Sequence, residues 1–424
     1  MSAIKIIVTF IFLTFITPTL CAQECPQLQD KEISRERAAI PGETMGQKLE
    51  SLLFWSQAEK DRRFPIMQDI FPSIQVSKSS RVTPQEQMSN IIPKWKDETT
   101  VASYMKNNHV KGIIVLQNDK IRLEEYAEGV DKTTLWTSFS VAKSISSMLL
   151  GVALKEGDIE SLDDALQKYI PEFKGYDYGK VTVRQLLTMT SGIGWNEDYE
   201  DPNSDVAQMY KAPCQATESH ILTYMKPLKF VHESGTTWNY STGETDLVGI
   251  LIQKATGKSL AEYLSEKIWK PYGMEHCAFW LADECSNLNI GGSGLSASLR
   301  DYARLGTLML NNGNLGDKNM LSEEWLKDAT SPLYATNDQG GGYGYLWWRF
   351  PNGSYAAVGI FGQMLYIDPS KELVIAQMAA WPRASSETLI TERQNFINAV
   401  QRAVDSRKLK SKSKSKSKNG SKPK

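Results

Sequence analysis

Ser140 and Lys143 are the residues whose types and spacing most directly suggest chemistry in this 424-residue chain. They lie three positions apart, where a polar segment gives way to the mostly apolar run 145–154. On a helix, positions i and i+3 share a face, and a hydroxyl in the first turn lies in the positive field of the free N–H groups. A neutral lysine can deprotonate such a serine, so the pair predicts Ser-Lys nucleophilic hydrolysis.

The S-x-x-K pattern alone is weak, because it occurs elsewhere in the chain. Ser103 with Lys106 fits it, as do overlapping copies in the repeat that contains Ser411. Neither of these is followed by a long apolar run, and the copies near Ser411 belong to a low-complexity segment. Context therefore favours Ser140 as the nucleophile.

A Ser-Lys hydrolase also needs a group that carries a proton to the leaving atom. Tyr240 lies just before a helix expected to begin near Thr242 or Glu244. A lysine ammonium beside a phenol can lower the phenol pKa from about 10 toward working pH. Tyr240 is therefore a candidate shuttle, with an ordinary aromatic residue at a helix start as the alternative.

The oxyanion that forms on an attacked carbonyl needs backbone donors. The Ser140 N–H can supply one, and an amide near Gly359 and Ile360 can supply another, because glycine at an edge strand allows close approach of backbone to a ligand. Loss of such a donor typically raises the barrier by about 2.7–4 kcal/mol. The same stretch also fits a hairpin turn before Met364, and the two interpretations are compatible.

Strand patterns near both ends of the chain enclose a mostly helical middle. A hairpin pattern covers residues 112–127, helical patterns recur over 140–329, strand patterns cover 344–378, and a closing helix covers 386–404. This order predicts an α+β fold, an antiparallel sheet flanked by helices with a mostly helical insert. The helix that begins at Ser140 would then border a cleft between sheet and helices.

The N-terminus has the pattern of an export signal. Lys5 precedes the apolar run 6–16, which is too short to span a bilayer, and cleavage is expected after Cys21 or Ala22. Residues 1–22 are therefore interpreted as a signal peptide, with a lipoprotein anchor at Cys21 as the competing interpretation. No membrane span is expected later in the chain, so the mature protein is predicted to be secreted or periplasmic.

Export implies an oxidising compartment for the remaining four cysteines. They allow three pairings, of which Cys277 with Cys285 is the local guess. No cysteine or histidine cluster has metal-ligand spacing, so no metal and no organic cofactor are expected.

Two segments flank the expected hydrolase domain of residues 91–404. Residues 23–90 are polar and irregular, with isolated apolar anchors such as Phe64, and predict an arm that packs on the domain. Residues 405–424 are a lysine-serine repeat with nine positive charges and no negative charge from Arg407 onward, which is typical of a disordered tail. No nucleic-acid partner is expected, and the oligomeric state stays open.

In combination these features resemble the serine β-lactamase and penicillin-binding-protein superfamily, specifically its class C-like branch. Ser140 with Lys143 matches the first motif, Tyr240 begins a stretch where the family has Y-x-N, and Gly359 falls where it has the glycine of K-T-G. The likeness covers about residues 83–400 and is nearest to 6-aminohexanoate-dimer hydrolases and related esterases.

The resemblance implies a β-lactamase/transpeptidase-like fold and a site assignment. Ser140, Lys143 and Tyr240 would be catalytic, the N–H groups of Ser140 and Ile360 would form the oxyanion hole, and Tyr199 and Gly359 would contact substrate. For Tyr199 a plain surface tyrosine is the alternative.

The chain departs from the β-lactamase pattern at two motifs. Ala357 and Val358 occupy the lysine and threonine positions of K-T-G, and Thr242 replaces the asparagine of Y-x-N. Both changes argue against efficient β-lactam hydrolysis and leave acylation chemistry intact. No G-x-S-x-G elbow is present, which disfavours an α/β-hydrolase.

The sequence thus predicts a serine hydrolase that cleaves small amides or esters through an acyl-enzyme. A penicillin-binding D,D-peptidase or weak β-lactamase is one alternative. A catalytically inactive binding protein on the same scaffold is another. Whether Lys143 or Tyr240 is the formal base is left open, because such coupled groups titrate together.

Overall fold

The structure is a computed structural model whose described residues are 36–42, 44–214, 218–316, 318–336 and 341–418, with the backbone alone for residues 45 and 406–418. The expected signal peptide, residues 1–22, lies outside the described residues. Within the described part of the chain, no helix combines the length and the apolar character needed to cross a membrane.

Twelve strands occur among the described residues and form two antiparallel sheets. In chain order they are β1 Ser73–Val76, β2 Val110–Gln117, β3 Lys120–Tyr126, β4 Leu135–Thr137, β5 Ala278–Leu281, β6 Leu295–Ser298, β7 Tyr334–Ala335, β8 Gly342–Tyr343, β9 Trp348–Arg349, β10 Tyr355–Val358, β11 Met364–Asp368 and β12 Leu373–Ala379. The large sheet has the order β3-β2-β12-β11-β10-β9-β8-β7, and the small sheet has the order β1-β5-β6-β4.

The large sheet is closed by segments from opposite ends of the chain. Strand β12 pairs with β2, with Ile375 opposite Val115. Both strands are apolar and almost wholly buried, and the helix Leu299–Leu310 packs on both of them. The α+β class with an antiparallel sheet flanked by helices is confirmed.

Most of the α-helices are short, and of those in the described ranges four are longer than seven residues: Val141–Glu156, Thr242–Thr256, Leu299–Leu310 and Glu387–Lys418. Their bounds are Met45–Ser51, Gln57–Arg63, Met67–Ile70, Val101–Asn107, Val141–Glu156, Leu166–Tyr169, Val183–Leu187, Asp205–Gln208, His220–Met225, Thr242–Thr256, Leu260–Leu264, Lys270–Tyr272, Leu299–Leu310, Glu323–Ala329 and Glu387–Lys418. Single 3₁₀ turns include Leu52–Phe54, Phe64–Ile66, Met209–Lys211 and Ile360–Gly362.

Two long helices form the centre of the molecule. The helix Val141–Glu156 is buried from Val141 to Ala153, which accounts for its nearly all-round apolar composition. It packs on the helix Thr242–Thr256. Each ends at a glycine with positive φ, Gly157 at 88° and Gly257 at 67°, a backbone conformation that favours glycine over other residues.

The N-terminal arm is more regular than its composition suggested. Ser56 caps the helix Gln57–Arg63 reciprocally with Glu59, and β1 joins the small sheet. The expectation of irregular structure is therefore wrong for residues 44–76. The closing helix, Glu387–Lys418, also runs past its expected end at residue 404, in a stretch that contains no glycine or proline to stop it.

The disulfide in the described residues joins Cys214 to Cys285, with their Cα atoms 5.7 Å apart. The local pairing of Cys277 with Cys285 is therefore wrong, and Cys277 belongs to another disulfide. The local guess failed because the fold brings Cys285 beside a loop 71 residues earlier in the chain, a contact that spacing cannot reveal.

Candidate active site

Ser140 occupies the N-cap of the helix Val141–Glu156, as its position in the sequence predicted. The preceding residue, Phe139, has φ of 44°, so the backbone turns sharply from β4 into the helix. Ser140 is nearly buried, with 8% of the residue exposed. The first N–H groups of a helix have no intrahelical acceptor, so the Ser140 amide can serve a ligand.

Lys143 is one turn into the same helix and is buried. Its Nζ donates to Oγ1 of Thr242 at 2.8 Å and to the carbonyl oxygen of Gly292 at 3.0 Å. Burial lowers the pKa of Lys143, while the carboxylates of Glu197 and Asp246 act in the opposite direction. The net direction is downward, which favours the neutral amine.

Tyr240 joins Ser140 and Lys143 in one cluster. The Lys143 Nζ lies 5.4 Å from the centre of the Tyr240 ring, and the Tyr240 phenol interacts with the side chain of Ser140. Burial raises the pKa of Tyr240 and the charge of Glu197 raises it further, whereas the contact with Ser140 lowers it. The expected lowering toward working pH is therefore wrong, because burial is the largest effect on the phenol and Lys143 is itself held toward its neutral form.

Glu197 is the main element of the site that the sequence did not reveal. It accepts hydrogen bonds from the phenol of Tyr199 at 2.6 Å and from the backbone N–H of Thr242 at 2.9 Å. The Thr242 hydroxyl also donates to it, as does the indole of Trp195. Thr242 therefore links Lys143 to Glu197 in a continuous hydrogen-bonded chain.

Asp246 supports the other side of Lys143. It is fully buried and accepts from the N–H of Gly292 at 2.7 Å and from the phenol of Tyr210 at 3.1 Å. Burial raises its pKa to about 6, against the lowering effect of Lys143. A Cβ at position 292 would lie 2.9 Å from Asp246 Oδ1 and 3.1 Å from Lys143 Nζ, so the lysine's surroundings leave no room for a larger residue there.

The second expected oxyanion donor lies beside the turn that precedes the Ser140 helix. Strand β10 leads into Gly359, where a Cβ would meet the Ser138 carbonyl oxygen at 2.7 Å and the Ser140 nitrogen at 3.1 Å. Only glycine allows this approach. Ile360 then begins a 3₁₀ turn, so its N–H is free of helical bonding, and it stands beside the turn that carries Ser140.

Three buried phenylalanine rings support both backbone turns. Phe139 precedes Ser140 and Phe361 follows Ile360, and each has positive φ, 44° and 57°. Their ring centres are 5.2 Å apart, and Phe64 of the N-terminal arm lies 5.0 Å from the first and 5.4 Å from the second. The arm therefore packs directly against the two turns that carry the expected oxyanion donors.

An aromatic wall flanks the Tyr240 side of the cleft. Trp348 stacks on Tyr240 with ring centres 5.7 Å apart, and Trp238 and Tyr343 pack around this pair. Nothing local in the sequence indicates that Trp238, Tyr240, Tyr343 and Trp348 meet, because the fold brings them together from positions up to 110 residues apart.

The structure thus gathers the six sequence-predicted residues into one place. Ser140, Lys143 and Tyr240 form a cluster, Gly359 and Ile360 lie beside the Ser140 turn, and Tyr199 is bound into the network through Glu197 rather than standing on the surface. Glu197, Thr242, Asp246 and Gly292 were missed as site residues. Their only sequence signals were the acidic loop around Tyr199 and the position of Thr242 after Tyr240. Such an arrangement can activate a hydroxyl and stabilise an oxyanion.

A comparison with protein-family models matches residues 98–394 to the family described as Beta-lactamase. A 6-aminohexanoate-dimer hydrolase of Paenarthrobacter ureafaciens is 26% identical over 385 residues, which cover 87% of this chain and 97% of that protein.

Solved structures share the fold. One from Bacillus anthracis, assigned as a 6-aminohexanoate-dimer hydrolase, has a TM-score of 0.72 at 24% identity and covers 82% of this chain and 95% of its own. A class C beta-lactamase mutant has a TM-score of 0.52 at 18% identity, with 70% and 95% covered. These likenesses support the β-lactamase/transpeptidase-like fold that the sequence predicted.

Proposed function

Because this chain belongs to the Beta-lactamase family and is a serine hydrolase, we propose that it cleaves small amides or esters through an acyl-enzyme on Ser140. Lys143 is the base, Tyr240 is the proton relay, and the N–H groups of Ser140 and Ile360 bind the oxyanion. The observation that carries the proposal is the environment of Lys143, a buried amine with a lowered pKa one helical turn from the serine.

The hydrogen bonds of Lys143 support its role as base. A neutral amine has two hydrogens and one lone pair. The two hydrogens are used by Thr242 and by Gly292, and the lone pair remains for the hydroxyl proton of Ser140. This favours Lys143 over Tyr240 as the formal base, since the raised pKa of Tyr240 keeps the phenol protonated near neutral pH.

In the acylation step, the Ser140 oxygen forms a bond to the substrate carbonyl carbon as its proton passes to Lys143. The carbonyl oxygen becomes an oxyanion between the N–H groups of Ser140 and Ile360, each worth about 2.7–4 kcal/mol of barrier. Tyr240 then gives its proton to the leaving nitrogen or oxygen as that bond breaks. The Lys143 ammonium restores the phenol proton.

Deacylation reverses these roles with water as the nucleophile. Water loses a proton to the Tyr240–Lys143 pair and attacks the ester carbon, and Ser140 recovers a proton as the carboxylic acid leaves. Tyr199 and Gly359 are proposed to contact the substrate in both steps. No step requires a metal or an organic cofactor.

The substrate is proposed to resemble that named for the Paenarthrobacter ureafaciens relative, a linear amide of an amino acid. The residues at the K-T-G position, Ala357 and Val358, support this choice over a β-lactam, because neither offers the polar group that would hold the substrate carboxylate. Secretion with loss of residues 1–22 is part of the proposal. The Cys214–Cys285 disulfide supports it, since disulfides persist in oxidising compartments.

The test is to incubate the mature protein with p-nitrophenyl acetate, an aminohexanoate dimer and nitrocefin, beside a Ser140→Ala variant. We expect ester or amide turnover that is lost in the variant, with nitrocefin untouched. Nitrocefin turnover or stable labelling by a fluorescent penicillin would instead favour the β-lactamase or D,D-peptidase alternative. The absence of any Ser140-dependent signal would favour a binding protein.

A further inference from the structure

A cavity adjoins the site and is walled on one side by the N-terminal arm. Its volume is about 80 Å³. Several of its lining residues belong to the site or adjoin it. Phe139 precedes Ser140, Ile360 carries an expected oxyanion donor, and Thr242 accepts from Lys143. A group bound covalently to Ser140 can therefore extend into this space.

The wall is mainly apolar. The arm contributes Leu49, Leu52, Leu53 and Met67, and the body of the protein contributes Val206, Ala207, Leu281 and Ile290. The polar lining residues include Tyr199, Tyr210 and Thr242, whose oxygens already have partners within the protein. The surface left for a ligand is therefore largely hydrocarbon.

The charges around the cavity disfavour an anion. The carboxylate in its wall, Glu50, pairs with Lys211 at 3.2 Å, and no lysine or arginine is among the described lining residues. Glu197 and Asp246 lie just behind Tyr199 and Tyr210. A ligand carboxylate would be desolvated here without a partner, which is costly.

The cavity also lies on one side of the reacting bond. Tyr240, the proposed proton donor to the leaving group, is not among the lining residues, and neither are Trp238, Tyr343 and Trp348, which surround it. Ile360, the donor to the carbonyl oxygen, is one of them. The cavity is therefore positioned for the acyl part of a substrate, while the aromatic wall faces the leaving group.

We propose that this cavity binds the acyl chain of the substrate, and that the chain is linear and aliphatic and carries no negative charge. The proposal rests on the function proposed above. At about 15 Å³ of such space for each water-sized group, the 80 Å³ cavity holds about five methylene groups. A hexanoyl group, with five carbons beyond the carbonyl, is the expected optimum.

The first experiment varies the acyl chain while the leaving group stays constant. With p-nitrophenyl esters from acetate to decanoate, we expect kcat/KM to rise about fourfold per added methylene up to about hexanoate and then to level off or fall. In a second series, acetate esters of alcohols from ethanol to hexanol should show no such rise. p-Nitrophenyl hemisuccinate should react more slowly than the valerate.

A matched pair of arm variants tests the location. Leu53 lines the cavity, whereas its neighbour Phe54 is 56% exposed and does not. Leu53→Trp should fill space that roughly two methylene groups of the acyl chain would occupy. The hexanoate-to-acetate ratio of kcat/KM should therefore fall by about tenfold or more. Leu53→Ala should move the optimum to a longer chain, and Phe54→Trp should leave the ratio unchanged.

The outcomes separate this proposal from the one on which it rests. Acetate turnover that depends on Ser140 but shows no chain-length preference would overturn the acyl-chain assignment and leave the mechanism standing. A rise in the alcohol series instead would place the leaving group in the cavity. Loss of acetate turnover in both Leu53 variants would show that the arm acts on folding, and Phe54→Trp with an altered ratio would refute the location.

Discussion

Phe64 should control the catalytic rate, although it lies far from Ser140 in the sequence and touches no substrate. Its side chain is fully buried, and its ring contacts those of Phe139 and Phe361, which precede and follow the two expected oxyanion donors. Both neighbours have positive φ, a conformation that costs of order 1–3 kcal/mol and persists only where packing enforces it. Removing the ring would relax that packing.

The expected changes in folding free energy and in kcat can each be given a magnitude. Phe64→Ala would cost about 3–5 kcal/mol of folding free energy, a large part of the 5–15 kcal/mol typical of a folded protein. Phe64→Leu keeps most of the buried volume and should cost about 0.5–3 kcal/mol, so the protein stays folded. A partial displacement of the Ile360 amide should then lower kcat about tenfold, against the 10²–10³ expected for complete loss of a donor.

The assay compares Phe64→Leu with Phe173→Leu. Phe173 is as buried as Phe64, but its ring contact is with Tyr178, in the helical region, and involves no site residue. Urea denaturation gives the free energy of unfolding of each variant, and hydrolysis of p-nitrophenyl acetate gives kcat and KM. We expect similar losses of stability in both variants, a tenfold lower kcat in Phe64→Leu alone, and unchanged KM, since Phe64 does not line the substrate cavity. Equal kcat in the two variants would refute the reasoning.

Three further changes test the site. Tyr240→Phe should lower kcat/KM, which reports the acylation step, by about 10²–10⁴ on an aminohexanoate dimer and by less on p-nitrophenyl acetate, whose leaving group needs no proton. Equal losses of kcat/KM on the two substrates would contradict a relay. Glu197→Gln removes a charge that raises the pKa of Lys143, so the neutral amine should persist to lower pH. The acidic limb of the kcat/KM profile should therefore move to lower pH. A shift of that limb to higher pH would count against Lys143 as the base. Gly359→Ala should lower kcat about 10²-fold, because its Cβ would lie 2.7 Å from the Ser138 oxygen, and a fully active variant would show that this close approach is unnecessary.

The sequence predicted the parts of the site that have local signals. The run after Ser140 has helical composition, and Tyr240 stands at a helix start, so both elements and their bounds within a few residues could be expected. Glu197 has no such signal. It lies in an irregular acidic loop. Its hydrogen bond to Thr242 joins residues 45 positions apart, so this contact exists only in the completed fold.

The direction of the Tyr240 pKa was unpredictable for a related reason. A lysine ammonium lowers the pKa of a nearby phenol, and the sequence shows only that such a lysine exists. Burial is a property of the whole fold, and here it acts on both groups at once. It keeps Lys143 neutral and therefore available to accept a proton, and it keeps Tyr240 protonated and therefore available to donate one, so a single physical cause divides the two roles.

The arm that precedes the family match is part of the same physical unit as the site. The match begins at residue 98, yet Lys60 donates to the backbone carbonyls of Trp381 and Pro382, and its Nζ lies 4.6 Å from the centre of the Phe361 ring. Burial lowers the pKa of this lysine, and its contacts join the arm to the turn that follows Ile360. Because the arm supports that turn and also walls the cavity, changes in it can alter the rate and the acyl-chain preference together while Ser140, Lys143 and Tyr240 stay the same.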